Sequence, residues 1–139
     1  MSTPERLIPL LVYADIQAAH DFLVTAFGFE AGGVERTGDG QAVHAEVRVG
    51  GAPIWLHRVT AAHDLDSPLR VDMAGSGVVV HVQDVDAHFA RARAAGARID
   101  SEPMDQPYGQ REYGARDPEN HRWWFATPTP APGTASRAT

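Results

Sequence analysis

The chain is 139 residues long, 43% hydrophobic and 22% charged, the profile of a single folded domain rather than a disordered or fibrous chain. Its 18 acidic and 12 basic side chains leave a net charge of −6, the wrong sign for a nucleic-acid backbone or an anionic membrane surface. Every basic residue is Arg and there is no Cys, which excludes lysine Schiff-base and phosphate-loop chemistry, disulfides, thiolate metal sites and cysteine nucleophiles.

The N-terminus, Met1 to Arg6, lacks a basic segment followed by a long apolar run. No stretch approaches the roughly 18 apolar residues of a spanning helix, so a cytoplasmic protein without membrane partners is expected. Residues Leu7 to Tyr13 read as a strand, and Ala14-Asp15-Ile16-Gln17-Ala18 as the start of an amphipathic helix that Gly28 ends. The same sentence recurs later: Gly77 to Val82 as a strand, Gln83-Asp84-Val85-Asp86-Ala87 as a helix start, and Gly96 as the stop. Asp15 and Asp84 lie 69 residues apart, and Gly28 and Gly96 lie 68 apart. The two aspartates suit N-caps, where a carboxylate accepts orphan backbone N–H groups, and the two glycines suit the left-handed residue after a helix.

Extended segments follow each helix. Gly32-Gly33 and Gly38-Asp39-Gly40 read as turns between strands. Ala42 to Val49 and Pro53 to Val59 alternate with period two on either side of Gly50-Gly51. In the second half, Arg111 to Arg116 and His121 to Ala126 flank the turn Asp117-Pro118-Glu119-Asn120. Both halves therefore read as βαβββ, giving an α+β chain with module one at about 6–60 and module two at about 76–127. The segment 61–75 reads as a linker, and 128–139, rich in Pro, Thr and Ala, as a mobile tail.

Paired βαβββ modules with these helix starts, together with Tyr108-Gly109-Gln110-Arg111 and Asp117-Pro118-Glu119-Asn120-His121, resemble the vicinal oxygen chelate superfamily. That group holds glyoxalase I, extradiol dioxygenases, fosfomycin resistance enzymes and bleomycin resistance proteins. The resemblance covers residues 6–127 and implies two curled mixed sheets, each enclosing a cleft, in a homodimer. In the metal-dependent members a divalent ion is held by His and Glu from the first and last strand of each module. Here those positions fall at Ile8, Gly77, Trp55 and Trp124, none of which binds a metal. This agrees with the metal-free bleomycin resistance branch, whose clefts sequester a drug, and implies no metal or other cofactor.

The leading reading is a protein that binds a small aromatic or cationic molecule, with Trp55, His57, His81, Tyr108, Arg111 and Trp124 as candidate contacts. An indole adds about 0.5–1.5 kcal/mol per stacked aromatic pair beyond area burial, and attracts cations as well. The blander reading places Trp55, Trp123 and Trp124 in the core or a dimer interface. Strand parity puts His57 with Trp55, and His81 with Gly77 and Val79. A displaced metal site at His57 and His81, aided by His44 or Glu46, would make the protein a lyase, isomerase or dioxygenase. A metal-free enzyme using Arg111, Glu46 or Glu112 is a further alternative. Tyr108 and Arg111 read as residues of a loop rimming the cleft, with Arg111 either clamping a ligand or bonded to Glu112 or Asp117. His20 and His88 fall on the helices as solvent-facing or packing residues, His63 in the linker and His121 at a strand start.

Overall fold

The protein, described by a computed structural model over residues 2–130, divides into two compact units between Val71 and Asp72. The division falls inside the 61–75 stretch. Residues 131–139 of the expected tail lie outside the described residues.

The first unit runs β1 (Leu10–Tyr13), α1 (Ile16–Phe27), β2 (Glu30–Arg36), β3 (Ala42–Val49) and β4 (Ala52–Arg58). The strand predicted from Leu7 begins only at Leu10, so Ile8 precedes it. Asp15 caps α1 by accepting from Ala18 N at 3.1 Å, and Gly28 closes the helix at φ 75°. The buried residues Ile16, Ala19, His20, Leu23, Ala26 and Phe27 recur at helical spacing and form its inner stripe. The sheet order is β1-β4-β3-β2, with β1 parallel to β4 and the other pairs antiparallel. Ala45, Val47, Ile54 and Leu56 alternate along β3 and β4 and pack towards α1.

Gly32-Gly33 is not a turn. Both residues lie within β2, where the pairing with β3 slips between Ala31 and Val34. Gly33 sits at φ 106°, and a Cβ on Gly32 would stand 2.6 Å from the backbone oxygen of Glu46. A bulge and a turn make the same demand on glycine, and only the partner strand tells them apart. After β4 the linker is ordered into a 3₁₀ turn, Ala61–His63, and a short helix α2, Pro68–Val71, with Ser67 and Pro68 buried.

The second unit repeats the plan with β5 (Gly77–His81), α3 (Val85–Ala94), β6 (Arg98–Gln106), β7 (Gln110–Arg116) and β8 (Arg122–Pro128). Asp84 caps α3 through Ala87 N at 3.1 Å, and Gly96 follows the helix at φ 91°. The order β5-β8-β7-β6 matches the first sheet strand for strand. Tyr113, Ala115, Trp123 and Phe125 are fully buried on the face towards α3, and His88 packs on Phe125 at 4.2 Å. Pairing continues past the predicted strand end: β8 reaches Pro128, and Thr129 N donates to Gly109 O.

Two side-chain expectations resolve here. His20 and His88 are packing residues: His20 is 8% exposed, and His88 Nδ1 lies 2.6 Å from the hydroxyl of Tyr113. Burial of that Tyr113 hydroxyl raises its pKa.

Candidate functional site

Strand alternation gives each sheet a second face, turned away from its helix. In the first unit this open face carries Trp55 and His57 on β4, with His44, Glu46 and Arg48 on β3. Register aligns Glu46 with Trp55 and His44 with His57. The Trp55 indole donates Nε1–H to Glu46 Oε1 at 3.0 Å, while Arg48 holds the other carboxylate oxygen at 2.7 Å. The His44 ring meets Trp55 edge to face at 5.5 Å. A groove of about 510 Å³ runs beside the indole, lined by Glu35, Thr37, His44, Trp55, His57 and Arg58. It is a half-buried aromatic wall with an anchored ring and polar edges.

His57 stacks on His63 at 6.5 Å and shares a hydrogen bond of 3.2 Å between its Nε2 and the Thr60 hydroxyl. Burial holds its pKa below the ordinary 6.5, and the neighbouring His44, His63 and Arg58 push it the same way. The sign follows from linkage: the unfolded chain binds this proton more readily than the folded one. The stability from a neutral His57 is therefore complete above pH 6.5 and lost as pH falls through its lower folded value. Titration of the His57 ring by NMR should give a midpoint below the ordinary 6.5. A midpoint at or above it would contradict the packing described.

In the second unit the open face carries Val79 and His81 on β5, Arg122, Trp124 and Ala126 on β8, and Gln110, Glu112, Gly114 and Arg116 on β7. Trp124 holds the register position that Trp55 holds in the first sheet: Leu10 and Glu46 flank Trp55 as Val79 and Gly114 flank Trp124. Its ring lies across two glycines. A Cβ on Gly77 would stand 2.3 Å from Trp124 Cζ3, and one on Gly114 would stand 3.4 Å from Trp124 Nε1. Arg122 covers the ring at 5.0 Å from guanidinium to centroid. One rung further, the fully buried Ala126 lies in register between His81 and Glu112. A chain of hydrogen bonds joins these two: His81 Nε2 to Gln110 Oε1 at 3.3 Å, Gln110 Nε2 to Glu112 Oε1 at 2.8 Å, and the Tyr108 hydroxyl to the same oxygen at 2.6 Å. That carboxylate raises the pKa of Tyr108.

The structure thus brings Trp124, His81 and Tyr108 to one face of one sheet, and Trp55 and His57 to one face of the other. Arg111 departs from its expected place. It lies in β7, as the extended reading of Arg111 to Arg116 has it and not in the rimming loop, and its side chain is on the helix side, with Nε and Nη2 on the two oxygens of Asp86 in α3 at 3.0 and 3.1 Å. Nη1 reaches Asp105 at 3.3 Å, so the partners are neither Glu112 nor Asp117. Trp123 belongs to the core, separate in role from its neighbour Trp124.

The donor set does not fit the metal centre of the metal-dependent relatives. Ile8, Gly77, Trp55 and Trp124, with the register neighbours Leu10 and Val79, offer no ligand atom. His57 and His81 belong to different units, and among the described residues no group of three or more His, Asp or Glu side chains is placed to hold an ion. No helix among the described residues is long and apolar enough to cross a membrane.

One buried anchor was not singled out from sequence. Asp117, 3% exposed, accepts from Trp123 Nε1 at 3.1 Å and from the backbone N–H of Glu119 and His121 at 3.0 and 3.2 Å. The Asp-Pro turn was legible, but not its hold on a core indole.

Twin four-stranded mixed sheets, each with one helix behind it and an aromatic open face, define the glyoxalase-type α+β class. The chain belongs to the Glyoxalase/Bleomycin resistance protein/Dioxygenase superfamily, whose family model matches residues 8–125. It is 35% identical over 125 residues to the uncharacterized protein Mb0911c of Mycobacterium bovis, covering 88% of this chain and 82% of that one. Among solved structures it is similar to TioX from Micromonospora sp. ML1, at 34% identity and a TM-score of 0.71 over 89% of this chain and 98% of that one. TnmS3, an antibiotic binding protein from Streptomyces sp. CB03234, shares the fold at 24% identity and a TM-score of 0.68, covering 93% and 99%.

Proposed function

We propose that the protein binds a small aromatic or cationic molecule, a drug or metabolite, against the open-face indoles Trp55 and Trp124. One observation carries this reading: the two indoles occupy the same register position in the two sheets, half-buried, on the side the helices leave uncovered. A core role would bury them as it buries Trp123. Each ring is also held in place, Trp55 by Glu46 and Trp124 by the glycines beneath it. Rigid aromatic surfaces with polar edges suit recognition of a planar guest. The similarity in fold to an antibiotic binding protein supports the same reading.

Titration with ethidium, proflavine and neutral flavone tests it by tryptophan fluorescence. At least one should quench the wild-type emission, and the quenching should fall by half or more in Trp55→Phe or Trp124→Phe. The emission of Trp123, sealed in the core, should remain. If no compound changes the emission, binding at the indoles is wrong.

A further inference from the structure

Three arginines stand side by side at one end of the Trp124 face. Arg98 on β6 is the register partner of Arg116 on β7, and Arg116 is the register partner of Arg122 on β8. Like charges directly opposite each other weaken a sheet, so the row needs a counterion. A single carboxylate serves two of the three: Asp100 meets Arg116 Nε at 3.0 Å and Arg122 Nε at 3.1 Å. The buried Arg122 Nε–H is not aligned with that oxygen and makes no hydrogen bond. Both guanidiniums face Asp100 through Nε, and among the described residues their terminal amino groups meet no acceptor. Among the described residues Arg98 is tied only to the neutral Asn120, at 3.5 Å.

Beside this row lies a hollow of about 280 Å³, lined by Arg116, Arg122, Asn120, Met73, Ala74 and Asp72. With both acids counted, three guanidiniums still outnumber two carboxylates. Arg122 joins the hollow to the aromatic surface, because the same guanidinium covers Trp124.

We infer that Trp124 and the pair Arg116–Arg122 form a subsite for an aromatic oxyanion, the ring lying at the indole and the carboxylate or equivalent acid on the free amino groups of the two guanidiniums. This rests on the binding reading above and narrows it for the second unit. Local charge here opposes the overall −6. A cation would meet Arg122 already over the ring, whereas an oxyanion meets two planar forks with unused donors. The distinction is a specificity device: the guest is selected by the sign of its charge.

The test uses the full chain with ¹⁵N-labelled indoles and three naphthalene probes: 2-naphthoate, 2-naphthalenemethanol and 2-naphthylmethylammonium. The Trp124 Nε1–H resonance should respond to 2-naphthoate at least about tenfold more tightly than to the alcohol, and least to the ammonium, as expected for one charge-assisted bidentate contact. Arg116→Gln should remove the tenfold preference and leave the alcohol's affinity within about twofold. Arg116→Lys should restore part of it. Should Arg116→Gln not fold, salt decides on the wild type: from about 0.05 to about 0.5 M NaCl the naphthoate preference should shrink while alcohol binding holds. Equal affinities for all three probes would overturn the oxyanion subsite and leave the aromatic reading standing. No response at either Trp55 or Trp124 to any probe would overturn both.

Discussion

Replacing Asp117 by Ala should lower the stability of the fold by about 3–5 kcal/mol, the largest loss expected for any single side chain at a turn here. The carboxylate is nearly sealed from solvent and accepts from the Trp123 indole and from two backbone amides of the turn. Alanine leaves all three N–H groups without that acceptor, at about 1–3 kcal/mol for each buried group. Asp117→Asn keeps the shape but turns an amide donor on either the indole or the amides, so it should cost about 2 kcal/mol. Urea unfolding measures this. With a slope of about 1–3 kcal/mol per molar, the Ala midpoint should fall by at least about 1 M. Pro118→Ala, at an exposed turn position, is the control and should stay within about 0.5 kcal/mol. A midpoint for Asp117→Ala equal to that of the control would show that the turn does not depend on this carboxylate.

Gly77→Val acts on the indole instead. A Cβ there falls 2.3 Å from Trp124 Cζ3 and 3.1 Å from Arg122 O, so the ring must leave its bed. Overpacking of this kind costs about 1–3 kcal/mol. The functional effect should be clearer still: with the indole lifted off the sheet, emission shifts to the red and affinity for planar guests drops by about tenfold, a stacking contact's worth. Gly75→Ala, whose added Cβ meets nothing within 4 Å, should change neither. Wild-type emission and affinity in Gly77→Val would mean that the glycine does not set the ring's position.

Much of the fold was legible because its signals are local. The aspartate caps, the glycine stops and the two-residue alternation of β3 and β4 each act within a few residues. The candidate site was legible only where parity carried it, as for Trp55 with His57. Arg111 shows how that fails. β7 pairs from Gln110, so Gln110 and Glu112 take the open face and Arg111 the other, and reading the residue as part of a loop hides this. The glycine doublet at 32–33 was misread because its partner, β3, lies more than ten residues away. Overall charge misled in a similar way. A sum over 139 residues says nothing about three arginines that sheet register alone brings abreast.

The bed of glycines beneath Trp124 also changes the entropy of binding. A free side chain at a binding surface gives up about 0.5–1.5 kcal/mol of rotational freedom when a guest immobilises it. Here that freedom is already gone, removed during folding by strands β5 and β7 on either side of the ring. The indole itself needs no ordering, and only the Arg122 side chain that covers it has to make room, so more of the contact energy at this ring remains as affinity.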